Sequence, residues 1–119
     1  MTSTGSASRP FILYDPFALK DALAANSIIL VDVREPQECE AARIEGAMNL
    51  PLSSFDPSAL PSGEVVLVCG IGKRSRMAAN LCAQAGMPVA GHLEGGLSAW
   101  MQAGLPCLLY TSDAADEED

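Results

Sequence analysis

Apolar positions fall along this chain in short blocks of two kinds. Residues 27–34 and 65–68 are continuous and rich in Val, Ile and Leu, the pattern of strands buried on both faces. Residues 11–14, 47–51 and 87–93 are weaker runs that read as further strands. Helical spacing fills the intervals. Asp15 before Pro16 reads as an N-cap and first helical residue, with Phe17, Leu19 and Leu23 on an apolar face and Asn26 at the end. Residues 35–43, with Pro36 in the first turn, predict a short helix, and Ser53 or Ser54 a helical turn. Over residues 75–85, Met77, Leu81 and Ala85 make one stripe, Ala78 and Cys82 lie beside it, and Gly86 stands as the residue after the helix. Gly95 and Gly96 open a last helix, Trp100 is its core anchor, and Gly104 closes it. Alternating strands and helices without an internal repeat predict an α/β fold with a mainly parallel sheet.

At 119 residues the chain is expected to form one domain with a real core. Hydrophobic content of 49% and a mean hydropathy of +0.19 fit a globular protein. No apolar run approaches the roughly 18 residues of a membrane span. Residues 1–10 lack the charged start and apolar core of a signal peptide and read as a flexible leader. The four cysteines, Cys39, Cys69, Cys82 and Cys107, have neither CxxC nor zinc spacing. Reduced thiols in a cytoplasm, with no metal and no cofactor, are therefore expected. A net charge of −8 argues against nucleic acid, and five of the acids crowd into the last seven residues.

The chemistry concentrates at the end of the 65–68 run. Cys69 is followed by Gly70, Ile71, Gly72, Lys73, Arg74 and Ser75, and then by a helix. Glycines let peptide N–H groups turn inward, and a helix start adds unpaired N–H groups and the positive end of its dipole. Such a loop binds anions, the first being a thiolate on Cys69 itself. Cys69 is thus the candidate nucleophile, with an anionic substrate held by residues 70–75. The spacing does not fit a P-loop, because Gly72 and Lys73 are followed by Arg74 and no glycine stands five residues before Gly72. Asp32 and Arg34 end the 27–34 strand, which in a parallel sheet brings them to the same edge as Cys69. His92, the only histidine, reads as a polar residue at a strand end, since no spacing aims it at Cys69. Cys82 and Cys39 read as small core residues, Cys39 with the rival role of a resolving thiol.

Three blocks resemble the single-domain rhodanese family of sulfurtransferases. Val31-Asp32-Val33-Arg34-Glu35-Pro36-Gln37-Glu38 with Gly46-Ala47-Met48-Asn49-Leu50-Pro51 is similar to its first signature. Cys69-Gly70-Ile71-Gly72-Lys73-Arg74-Ser75 is similar to its active loop, and Leu93-Glu94-Gly95-Gly96 through Trp100 to Ala103-Gly104-Leu105-Pro106 to its closing segment. The resemblance spans residues 11–106 and implies a five-stranded, mainly parallel sheet flanked by helices on both faces. It implies a persulfide on Cys69, a small anionic donor such as thiosulfate, and cyanide, a thiol or a sulfur-relay protein as acceptor. Lys73 and Arg74 are then expected to orient the donor, and Asp32 and Arg34 to brace the loop. Departures are Cys39 where the family usually has an aromatic, Arg43 where it has histidine, and Glu45 where proline is common. Four residues separate Cys69 from Arg74, one fewer than in related phosphatases and arsenate reductases, which favours sulfur over phosphoryl chemistry. A persulfide carrier without turnover is the alternative. Residues 107–119 do not resemble the family; they resemble a reading frame of a transposase adapter from sequencing libraries, and are expected to be non-native and poorly packed.

Overall fold

A computed structural model describes residues 11–109; the leader at 1–10 and the tail at 110–119 lie outside the described residues. In chain order come β1 (Ile12–Tyr14), α1 (Pro16–Ala24), β2 (Ile29–Asp32), α2 (Pro36–Ala41), β3 (Ala42–Arg43) and β4 (Met48–Asn49). Two 3-10 turns, Leu52–Ser54 and Pro57–Ala59, precede β5 (Val65–Val68), α3 (Lys73–Gln84), β6 (Gly91–Leu93), α4 (Gly96–Gln102) and β7 (Leu108–Leu109). The main sheet has five strands in the order β1-β6-β5-β2-β4, and every pair is parallel. The carboxyl ends of β2, β5 and β6 therefore share one edge, where loops carry chemistry in open α/β sheets.

Strand alternation divides the core between two faces. Leu30, Val66 and Val68 pack with Leu19 of α1 and Leu97 and Trp100 of α4. Val31, Val65, Leu67 and Cys69 point the other way, against Ala78, Ala79 and Cys82 of α3. Burying each such Val or Leu contributes roughly 1.5–3 kcal/mol. Trp100 is the expected anchor, buried, with its indole N–H donating to the Pro106 carbonyl at 2.8 Å.

Several expectations need correction. The buried stripe of α3 is Ser75, Ala78, Ala79 and Cys82, whereas Met77 and Leu81 are 55% and 41% exposed. Small side chains let this helix lie close on β5, and the large ones turn to solvent. In α1 only Leu19 is fully buried, and Phe17 is 57% exposed. The helix expected over 35–43 stops at Ala41, because Ala42 and Arg43 are drawn into antiparallel pairing with Leu109 and Leu108. Residues 107–109, expected to pack poorly, thus supply a strand, and Cys107 packs against the core. The strand expected over 87–93 begins only at Gly91.

The rotated stripe is testable by chemical denaturation. Ala78→Leu should destabilise by about 1–3 kcal/mol through overpacking against β5. Met77→Ala should stay within about 0.5 kcal/mol of the parent.

Candidate active site

Cys69 follows β5 directly, and its loop is held from outside by the start of α4. Leu97 N–H donates to the Cys69 carbonyl at 2.8 Å, and Ser98 N–H to the Gly70 carbonyl at 3.0 Å. Gly96 makes this approach possible. Its φ is +63°, and a Cβ there would lie 2.5 Å from the Cys69 carbonyl oxygen and 2.6 Å from Gly70 backbone atoms. With these carbonyls occupied, the chain turns at Gly72, whose φ of +103° suits only glycine without strain, and α3 begins at Lys73. Lys73 and Arg74, read from sequence as loop ahead of a helix over 75–85, are in fact already helical, so that Lys73, Arg74 and Ser75 make the first turn.

The sulfur is fully buried. Gly72 N–H donates to Cys69 Sγ at 3.0 Å, so a loop amide faces inward as expected. Ser75 Oγ lies 3.5 Å from the same sulfur and 3.2 Å from the Gly72 carbonyl. Ser75 Oγ also sits 2.7 Å from Nδ1 of His92, which is 1% exposed. Sequence spacing held no sign of this. The register does: His92 pairs with Leu67, two residues before Cys69, so β6 carries the imidazole alongside the active loop. Burial pushes the imidazole pKa down, Glu94 pulls it up, and Arg76 pushes it down again; the net shift is downward.

A second set of groups lies on the side of β2. Asp32 and Arg34 are both buried and form a bidentate pair. Arg34 Nε donates to Asp32 Oδ1 at 3.0 Å and Nη2 to Oδ2 at 2.8 Å. Arg34 also donates to the Ala42 carbonyl at 2.7 Å and, at 3.4 Å, to that of Glu38. Burial opposes the arginine's charge, but hydrogen bonding and attraction to Asp32 outweigh it and raise its pKa. Asn49 ties in β4, donating to the Asp32 and Arg34 carbonyls at 2.9 Å. Glu38 then reaches across to Arg74, accepting from Nη1 and Nη2 at 2.8 and 2.9 Å. Sequence reasoning missed Glu38 as a site residue; it stands two residues after Pro36 and three after Glu35, where an acid in the first helical turn reads as a capping residue. Asp32 and Arg34 therefore meet the loop through α2 rather than at the sulfur. Arg74, expected to face a donor, spends both terminal nitrogens on Glu38.

Lys73, with Ile71, Gly72, Arg76, His92 and Glu94, lines a cleft of about 420 Å³. Cys39 lies on another cleft, next to Asp32. Burial, and then the Asp32 charge, push its thiol up to about 11, so it stays protonated at neutral pH and fits a core role better than a resolving one. Among the described residues no group of histidine, cysteine and carboxylate side chains could hold a metal.

The family model of the rhodanese-like domain matches residues 15–103. The chain belongs to the rhodanese-like family. This rhodanese-like domain is 42% identical over 104 residues to an uncharacterized protein of Synechocystis sp., covering 85% of this chain and 58% of that protein. It is 35% identical over 96 residues to a protein of Allochromatium vinosum named a sulfurtransferase, covering 77% and 90%. The solution structure of a rhodanese-like domain from Anabaena sp. superposes with a TM-score of 0.76 at 25% identity, covering 90% of this chain and 86% of that one. The chain thus spans little more than half of the cyanobacterial relative's length.

Two substitutions test the rhodanese loop supports. Gly96→Ala should cost about 2 kcal/mol or more in denaturant, because both the close approach and the positive φ are lost. Glu38 is held below the ordinary carboxylate range, first by the Arg74 hydrogen bonds. Its stabilisation is therefore complete above about 4.5 and disappears as pH falls through the lowered value. Glu38→Gln should flatten the acid side of the stability profile by under about 1 kcal/mol, since the pair is partly exposed.

Proposed function

We propose that this domain is a sulfurtransferase that carries sulfane sulfur as a persulfide on Cys69. The observation that bears most weight is a buried sulfur at a parallel-strand terminus with the Gly72 peptide N–H aimed at it from 3.0 Å. A peptide N–H stabilises a thiolate, and equally the terminal anion of a persulfide. In the first half-reaction the Cys69 thiolate attacks the outer sulfur of an anionic donor such as thiosulfate. A new S–S bond forms, the donor's S–S bond breaks, and sulfite leaves with the electron pair. In the second, cyanide or a thiolate attacks the terminal sulfur and Cys69 leaves as thiolate. This is two-step covalent transfer.

Residues 70–75, a loop over 70–72 and the first turn of α3 over 73–75, form the anion-binding segment. Lys73, exposed beside the cleft, attracts the donor. Arg74 contributes charge, and its guanidinium keeps N–H donors beyond the two that Glu38 uses. Asp32 and Arg34 hold the strand end and α2 in place. Since Cys69 is 0% exposed, donor entry needs movement of the groups that cover it.

That same cover, with Arg74 engaged by Glu38, favours a second reading. The domain is then a persulfide carrier with little turnover of free donors, loaded and unloaded by relay proteins. A cytoplasmic setting, where thiols such as Cys39, Cys69, Cys82 and Cys107 stay reduced, belongs to either role as proposed.

Cyanide-dependent turnover of thiosulfate, read beside intact-mass detection of a one-sulfur adduct, separates the readings. Turnover with an adduct marks the enzyme, an adduct without turnover the carrier, and neither ends both. Cys69→Ser should lose adduct and turnover together. Arg74→Gln should raise the KM for thiosulfate about tenfold with a smaller change in kcat, the pattern of a lost charge-assisted contact to a bound anion.

A further inference from the structure

A thiol sealed from water cannot hand its proton to solvent directly. Cys69 is 0% exposed, yet every step above uses its thiolate. The groups around it offer one route out.

Ser75 Oγ has a single proton and three neighbours: Cys69 Sγ at 3.5 Å, the Gly72 carbonyl at 3.2 Å and His92 Nδ1 at 2.7 Å. The Gly72 carbonyl already accepts the Arg76 N–H at 3.3 Å, as the first bond of α3. The far side of the imidazole fixes the choice between the other two. His92 Nε2 is buried without a hydrogen-bond partner among the described residues, and Glu94 Oε1 stands 3.2 Å away, out of line for a hydrogen bond. A lone pair on Nε2 would face that carboxylate in a poorly solvated place and be repelled, whereas an N–H there is attracted. Neutral His92 therefore carries its proton on Nε2. Nδ1 accepts from Ser75 O–H, and Ser75 Oγ is left to accept from the Cys69 thiol. All donors then point one way, from sulfur to Glu94.

We infer that Ser75, His92 and Glu94 form a proton path that connects the buried Cys69 thiol to the protein surface, with His92 as a positioning residue acting through Ser75. This rests on the reading of Cys69 as the nucleophile. The step balances without an oxidant or reductant. The S–H bond breaks as its proton passes to Ser75 Oγ, and the proton already on Ser75 passes to His92 Nδ1. The Glu94 side chain, 3.2 Å away and 55% exposed, turns into line to take the Nε2 proton from the imidazolium, and water takes it from there. The thiolate that remains is held by Gly72 N–H and by a Ser75 hydroxyl whose direction has reversed.

The surroundings suit a transient carrier. Glu94 favours the imidazolium, while burial and the Arg76 guanidinium, 3.5 Å from the same Glu94 oxygen, disfavour it. Lys73 adds positive charge along the same cleft. On the β1 side the His92 ring stacks on that of Phe11, with centroids 5.5 Å apart, which brings no charge.

Imidazole ¹⁵N spectra of the full chain, recorded against pH for the parent and for Cys69→Ala, test the path. In the parent, His92 should pass from the Nε2–H form to one protonated on Nδ1 at the same pH at which Cys69 becomes open to iodoacetamide, followed by mass. In Cys69→Ala that step should vanish. Ser75→Thr keeps a hydroxyl and should keep the step. Ser75→Ala and His92→Asn should slow alkylation of Cys69 at neutral pH about tenfold, the worth of one hydrogen bond to a charged group. A His92 that holds one tautomer through the Cys69 transition, or titrates unchanged in Cys69→Ala, overturns the path. Should the His92 or Ser75 variants fail to fold, the parent and Cys69→Ala spectra decide alone. Failure of the parent to form a one-sulfur adduct would instead overturn the nucleophile, a separate outcome.

Discussion

The Cys69 and Gly70 carbonyls each receive a peptide N–H from the start of α4, at 2.8 and 3.0 Å. Buried peptide groups must be paired, and here the pairing also sets direction. Once the two carbonyls are committed outward to Leu97 and Ser98, the chain can curl back so that Gly72 N–H faces the sulfur. The arrangement needs two backbones closer together than any side chain at Gly96 permits. A residue almost thirty positions from the cysteine thus decides whether the cysteine meets a donor.

Two arginine–carboxylate pairs support the site, and they differ in burial. The side chains of Arg34 and Asp32 are only 6% and 3% exposed, where an ion pair persists only if its hydrogen-bonding capacity is met. It is met largely by their mutual contacts and by main-chain groups around β2 and α2. Arg74 and Glu38 are 37% exposed, where water competes and exchange is cheap. The inner pair therefore fixes the scaffold, and the outer pair can open beside the loop.

The parallel sheet supplies the geometry that these pairs secure. Cys69 shares the α3 face with Val31, Val65 and Leu67, which places its sulfur under the first turn of that helix and within reach of Ser75. β6, adjacent to β5, delivers His92 and Glu94 to the same edge. Charge is mixed there: Lys73 and Arg76 line the open cleft together with Glu94, while Asp32 and Glu38 lie on the side of β2 and α2.

By itself the sequence determined the α/β class, the central strands, and a cysteine at a strand end with glycines beside it. Each is a local property: a continuous apolar run can only be buried, and glycines beside a cysteine leave their amides free to turn. Other features came only from tertiary structure. Ala42 and Arg43 became a strand because residues 108–109 reached them, and Met77 was exposed because sheet contact favoured the smaller face of its helix. Glu38 and His92 entered the site through helix placement and strand register. Nothing in their neighbours along the chain encodes such distances, since they are set by how separate elements pack and not by the residues next to them.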